Sequence, residues 1–266
     1  MWQTKAVSKI SYPGEANDVC FQVEDESFWF NHRNRCIMAA IAQFRPEGML
    51  YDVGGGNGFV AAGLQAAGME VALVEPGVGA RNALKRGVRN VVCATFQDAC
   101  FRERSLPAAG AFDVVEHIED DVGFLRSLRE RLIPGGKFYC TVPALSALWS
   151  GADEHAGHFR RYNRASMVRT FVKAGFEIEF TSYFFAWLTP PIFMLRAVPA
   201  RMGIRDKANY GSIEAARAVH RHPAVISGAV EATERWELGR LRVGKQVPFG
   251  TSLLCVARVP VGKNEA

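Results

Sequence analysis

The chain has 266 residues, 48% hydrophobic and 22% charged, with a formal net charge of +5. That length holds one large domain with an elaboration. The composition excludes a largely disordered chain, and the modest, scattered charge argues against a dedicated nucleic-acid binder.

In chain order, residues 1–46 read as an N-terminal helical segment. The opening, Met1-Trp-Gln-Thr-Lys followed by polar sequence, does not resemble a signal peptide, and the expected location is cytoplasmic. Met49–Val53 is an apolar first strand that runs into Gly54, Gly56 and Gly58, with helix-forming Val60–Ala67 behind them. A second strand, Val71–Val74, ends at Glu75, and helix Gly79–Lys85 leads to a third at Asn90–Ala94. The fourth is placed at Ala108–Phe112, entered by Pro107. Helix Asp120–Arg131 is expected to stop at Pro134-Gly135-Gly136, with Lys137–Val142 as the fifth strand. Helix Ala165–Ala174, a sixth strand at Phe176–Phe184 and a seventh at Ser252–Val259 complete the series.

Strands alternating with helices predict an α/β, Rossmann-like doubly wound sheet of seven strands, the last antiparallel. The core is expected over 47–184 and 251–260. Residues 185–250, too long for a turn, are expected to form a helical insertion that acts as a substrate lid. Leading into it, Tyr183 to Arg196 is aromatic but broken by Pro190-Pro191, too short to span a bilayer. A pocket roof, ordinary core packing, a peripheral membrane contact and a dimer contact are its alternatives. Asp206 to Arg221 reads as polar, and Ala229–Leu241 as an amphipathic helix.

The glycine turn lets backbone approach a ligand closely, and Glu75 is spaced to meet ribose hydroxyls, so an adenosine-containing cofactor is expected. Gly56-Asn-Gly58-Phe-Val-Ala61 also satisfies a looser dinucleotide fingerprint, leaving S-adenosylmethionine (SAM) and NAD as candidates. Asp52, an acid just before the glycines, favours the cofactor that carries a positive amino group. Six cysteines at 20, 36, 93, 100, 140 and 255 show no C-x-x-C spacing, and the histidines and acids lack recognised ligand spacing, so no metal site is expected.

Four motifs carry a family resemblance: Phe28-Trp-Phe-x-x-Arg33, Phe112-Asp-Val-Val-Glu-His-Ile-Glu-Asp-Asp121, Leu148-Trp-Ser-x-x-Asp153-x-x-x-Gly-His-x-Arg-Arg-Tyr162 and Val247-Pro-Phe-Gly-Thr-Ser-Leu-Leu254. With the glycine loop and the Pro-Gly-Gly turn, they make the chain resemble a class I SAM-dependent methyltransferase of a bacterial small-molecule subgroup. The chain departs from that pattern at Leu106-Pro107, where the family usually has Phe-Asp.

The resemblance implies that Asp52, Gly54, Gly56 and Gly58 hold the methionine moiety and Glu75 the ribose. Thr95 and Phe96 would flank the adenine, and Phe112 and Asp113 would line the sulfonium side. Arg33 would pair the cofactor carboxylate. Bland alternatives stand beside these: Glu75 as a helix cap, Phe96 as core, Arg33 as a surface residue.

Methyl transfer needs an aligned nucleophile and removal of its proton. His117, His158 and Tyr162 are the expected catalytic residues, although Arg160 and Arg161 paired with Asp153 and Glu154 would equally pin that loop. The expected activity is methylation of a small or medium organic acceptor, at oxygen rather than nitrogen, in secondary metabolism or in glycan or lipid modification. A catalytically silent cofactor-binding regulator or partner subunit and an NAD-dependent oxidoreductase are the competing readings. The oligomeric state is left open.

Overall fold

Runs of buried apolar residues become the strands. The computed structural model describes residues 1–4, 14–203 and 227–262. Among these, β1 (Trp2–Gln3), β2 (Leu50–Val53), β3 (Val71–Val74), β4 (Asn90–Cys93), β5 (Leu106–Phe112), β6 (Leu132–Pro143), β7 (Glu177–Phe184) and β8 (Ser252–Arg258) form one sheet, in the order β1-β4-β3-β2-β5-β6-β8-β7. Strands β1 to β6 pair in parallel, whereas β8 runs antiparallel to both β6 and β7.

Three details differ from the sequence reading. The two-residue β1 adds an eighth strand at the edge, where Trp2 lies opposite Val92. β5 starts at Leu106, and β6 starts at Leu132 and runs through Pro134-Gly135-Gly136. The reason is a bulge: Leu106 pairs with Leu132 but Ala108 with Lys137, so the Pro-Gly-Gly turn is extra chain looped out of a continuing pair. Both prolines thus sit where a missing N–H costs no ladder bond.

The helices are α1 (Gly14–Val23), α2 (Phe28–Gln43), α3 (Phe59–Ala66), α4 (Val78–Lys85), α5 (Asp121–Arg131), α6 (Gly151–Ala156), α7 (Arg164–Lys173) and α8 (Ser227–Arg242). Three of them start at a side-chain cap. Ser27 accepts from the Phe30 N–H at the head of α2, Asp120 from Gly123 at α5, and Asn163 from Ser166 at α7. One apolar cluster joins Ile37, Ile41, Leu64 and Leu241 to one face of the sheet, and a second joins Leu125, Leu128, Met167 and Phe171 to the other. Each such side chain, fully buried, contributes about 1.5–3 kcal/mol.

The described part of the insertion holds short turns at Ala186–Leu188, Thr189–Ile192 and Val198–Arg201, a π-helical turn at Phe193–Ala197, and α8. The polar stretch Asp206 to Arg221 lies outside the described residues. No described helix is long and apolar enough to cross a membrane.

The sheet order reverses between β2 and β5. Their carboxyl ends diverge there into helices on opposite faces, which opens a crevice.

Candidate active site

A cleft of about 570 Å³ occupies that crevice. Its floor is the loop after β2. Gly54, Gly56 and Gly58 all have positive φ, at 69°, 53° and 75°. They differ in what a Cβ would meet. At Gly58 it would press on Ala83 and Val88, so that glycine lets α3 and α4 pack, whereas at Gly56 the nearest atom is Asn17 Oδ1, 3.8 Å away. Gly55, absent from the sequence reading, is the tightest: a Cβ there would lie 2.4 Å from Asp52 Oδ2 and 2.3 Å from Leu73.

Two acids lie beneath and beside this loop. Asp52 is fully buried, and neither carboxylate oxygen has a side-chain hydrogen-bond partner among the described residues. Burial lifts its carboxyl to about 7, against the opposing pull of Arg33 and the Ala61 N–H. Glu75 accepts from the Gly56 N–H at 3.2 Å, and burial lifts it to about 7 as well. Buried carboxyls with unspent acceptor capacity, facing a cavity, fit a ligand that brings positive charge and hydroxyl donors. Thr95, Phe96 and Gln97 form another wall. The Thr95 hydroxyl donates to Asp98 Oδ2 at 2.8 Å, fixing the turn that holds Phe96 against Phe101.

The end of β5 is strained. Asp113 has φ of +58°, a conformation that costs a non-glycine residue about 1–3 kcal/mol. It is held there by Arg33 Nε at 2.5 Å and by the Thr141 hydroxyl, which donates at 3.2 Å. Arg33 also donates to the Phe112 carbonyl at 2.8 Å and is 7% exposed. It is therefore no surface arginine, and its fork is engaged by the chain itself. Arg33 still borders the cleft, together with Trp29 and Phe30 of α2 and Asn17, Cys20 and Glu24 of α1.

Beyond Asp113 the structure gathers a polar corner. The His117 and His158 rings meet edge to face with centroids 4.8 Å apart, and both line the cleft. His158 Nδ1 lies 2.9 Å from Asp153 Oδ1, which also accepts from Arg161 Nε at 2.7 Å. Burial alone would raise the Asp153 carboxyl, but these hydrogen bonds hold it below its ordinary range. His117 is pushed down to about 4, mainly by burial and then by His158, so it is neutral at physiological pH. Glu116, buried and beside Asp113, has its carboxyl raised well above the usual range by desolvation.

The structure does not bring Tyr162 to this corner. Its phenol donates to Asp121 Oδ2 at 2.7 Å, and its ring is packed in the core beneath α5 and α7. Arg160 pairs with the same Asp121 at 2.9 Å, whereas Arg161 pins the loop through Asp153. Glu116 is the corner residue that sequence reading passed over. Its only signal was adjacency to His117. Two sets of donors that no sequence spacing announced converge among the described residues: Glu116, His117 and His158 in the cleft, and His32, Cys36 and Glu237 in the core.

The insertion closes the far side. Ile192 and Arg196 line the cleft, while Phe193, Met194 and Leu195 face outward. Its root is locked by Glu237 of α8, which accepts from the Phe185 N–H at 3.0 Å and the Ala186 N–H at 2.6 Å and lies 2.8 Å from His32 Nε2. Trp29 stacks on Phe185 at 5.6 Å.

A glycine loop at the reversal of a parallel sheet, acids facing the cleft and an antiparallel β8 define the class of Rossmann-like enzymes that use SAM. A family model described as a methyltransferase domain matches residues 29–180. The chain belongs to that family and is a SAM-dependent methyltransferase, which sets aside the NAD reading. No curated protein matches it significantly.

Among solved structures it is similar to the methyltransferase complexed with the Trm112 activator of Haloferax volcanii, at 16% identity and a TM-score of 0.59 over 96% of this chain and 100% of that one. It is also similar to a SAM-dependent methyltransferase of Thermotoga maritima, at 17% identity and a TM-score of 0.54 over 91% and 98% of the two chains. A third is the geranyl diphosphate C-methyltransferase of Streptomyces coelicolor, solved with S-adenosylhomocysteine (SAH), at 15% identity and a TM-score of 0.51 over 84% and 73%. At these identities the likeness speaks for the fold.

Proposed function

We propose that the protein methylates an oxygen of a small or medium organic acceptor that enters the cleft beneath the 185–201 segment. The observation that carries this reading is the polar corner, where His117 and His158 meet at the cleft wall and Asp153 fixes the orientation of the His158 ring. A hydroxyl is a poor nucleophile until its proton is removed, and an oriented imidazole pair at the acceptor end is suited to receive that hydroxyl and handle its proton. The bound cofactor supplies the reactive methyl and its leaving group. Asp52 and Glu75 suit its charged and hydroxylated parts, and the 185–201 segment acts as the lid over the acceptor.

The test is incubation with SAM and a panel of hydroxylated and amine acceptors, with SAH and methylated product followed by mass spectrometry. Products methylated at oxygen are expected. His117→Ala and His158→Ala are each expected to lose about a hundredfold or more in turnover with nearly unchanged SAM affinity. Full turnover in both variants, or methylation confined to amines, would refute the proposal.

A further inference from the structure

We propose that Glu116, His117 and His158 form a binding site for a divalent first-row transition-metal cation at the polar corner of the cleft. The inference deepens the reading above: the corner still receives the acceptor oxygen, but through the cation. One carboxylate oxygen and one ring nitrogen from each histidine lie within 4.8 Å of one another. Two imidazoles and one carboxylate are a donor set that suits such cations and leaves coordination positions open.

Two further observations point to a cation. Glu116 is 1% exposed and its Oε2 has no hydrogen-bond partner among the described residues. A lone buried carboxylate is costly, and the arginines on this side are committed elsewhere, Arg33 to Asp113 and Arg161 to Asp153. The histidines also have the outer partners that orient metal-bound imidazoles. His158 Nδ1 is held by Asp153, and His117 bonds to the Gly157 carbonyl.

In the other donor group, His32, Cys36 and Glu237, the donor atoms already engage one another, His32 Nε2 lying 2.8 Å from Glu237 Oε2 and 3.4 Å from Cys36 Sγ. Glu237 is taken by two backbone N–H groups and His32, and the set is sealed in the core. The cleft group instead opens onto the acceptor space. Open positions there favour an acceptor with two adjacent oxygens, such as a vicinal diol or a 2-hydroxycarboxylate, which would chelate the cation and, its hydroxyl made more acidic, release the proton to water in the open cleft as the methyl group arrives.

The experiment titrates the chelator-stripped full chain with Co²⁺, read by visible absorption and calorimetry, with SAM titrated in parallel. One Co²⁺ is expected to bind without a thiolate charge-transfer band. Its affinity is expected to fall by about tenfold or more in Glu116→Gln, His117→Ala and His158→Gln, each checked for fold by circular dichroism. No binding at millimolar Co²⁺, unchanged affinity in the folded variants, or a thiolate band reporting Cys36 would each overturn the proposal. A protein that binds SAM but no Co²⁺ strikes this inference alone, whereas one that binds Co²⁺ but no SAM strikes the reading of this cleft as the cofactor and acceptor site and leaves the metal site standing.

Discussion

Gly56 and Gly58 look alike in the sequence, but their surroundings separate them. A side chain at Gly56 points into open cleft, so Gly56→Arg fills the cofactor space, with strain confined to one positive-φ residue. Calorimetry is expected to show SAM binding abolished while the far-ultraviolet circular dichroism stays that of a folded protein. Normal affinity would remove the loop from the cofactor site.

Asp52 and Glu75 make a pH-dependent pair, since both have carboxyls raised to about 7. The folded chain keeps protons there that the unfolded chain gives up in the ordinary carboxylate range. The two groups therefore favour the fold in mildly acidic solution, and that contribution is lost as pH rises through about 7. A cationic cofactor binds the ionised forms, so SAM affinity is expected to rise across the same window and binding to release protons. Calorimetry near pH 7 in buffers of unlike ionisation enthalpy reads that release directly, and Asp52→Asn should reduce it. Most of the cleft glycines and acids could be read from spacing. Glu116 and Gly55 could not, because their roles follow from what surrounds them in space, and Tyr162 misled because a polar neighbour in sequence points into the core.

Among the elements, the central strands were legible because strands buried on both faces are near-continuous apolar runs. Strand ends were not. A Pro-Gly-Gly turn reads as a stop, and only pairing across the sheet shows that β6 began before it. The two-residue β1 carries no period at all. The helix read at Ala229–Leu241 was legible and lies within α8, yet the anchor it carries was hidden, because Glu237 looks like one more charge on an amphipathic helix. It is fully buried and receives two backbone N–H groups and His32. Glu237→Ala would strand all three, and an expected loss of about 3–5 kcal/mol in urea denaturation follows. A loss under about 1 kcal/mol would show that the root of the insertion is held by aromatic stacking instead.

For the molecule as a whole, fold and cofactor class were readable because the alternation of elements and the position of the glycine loop jointly define the sheet reversal where a ligand sits. The acceptor was not, since the cleft wall is built from side chains of the loops after β5 and β6 and of the 185–201 segment, which no linear pattern unites. SAM and SAH are expected to bind and NADH to leave the protein unaffected. A ligand at about a hundred times its Kd stabilises by about 2.7 kcal/mol, a shift that thermal unfolding resolves. Stabilisation by NADH alone would overturn the cofactor assignment.

The position of β8 also bears on how the protein is made. During synthesis, a chain that has emerged as far as Phe184 already contains the glycine loop, both cleft histidines and the strand β7. Yet β7 has no strand to lie against, because β8 stands between it and β6. Until residues 252–258 arrive, β6 keeps an unpaired edge and β7 has no partner, so the sheet cannot be completed before the last strand is made.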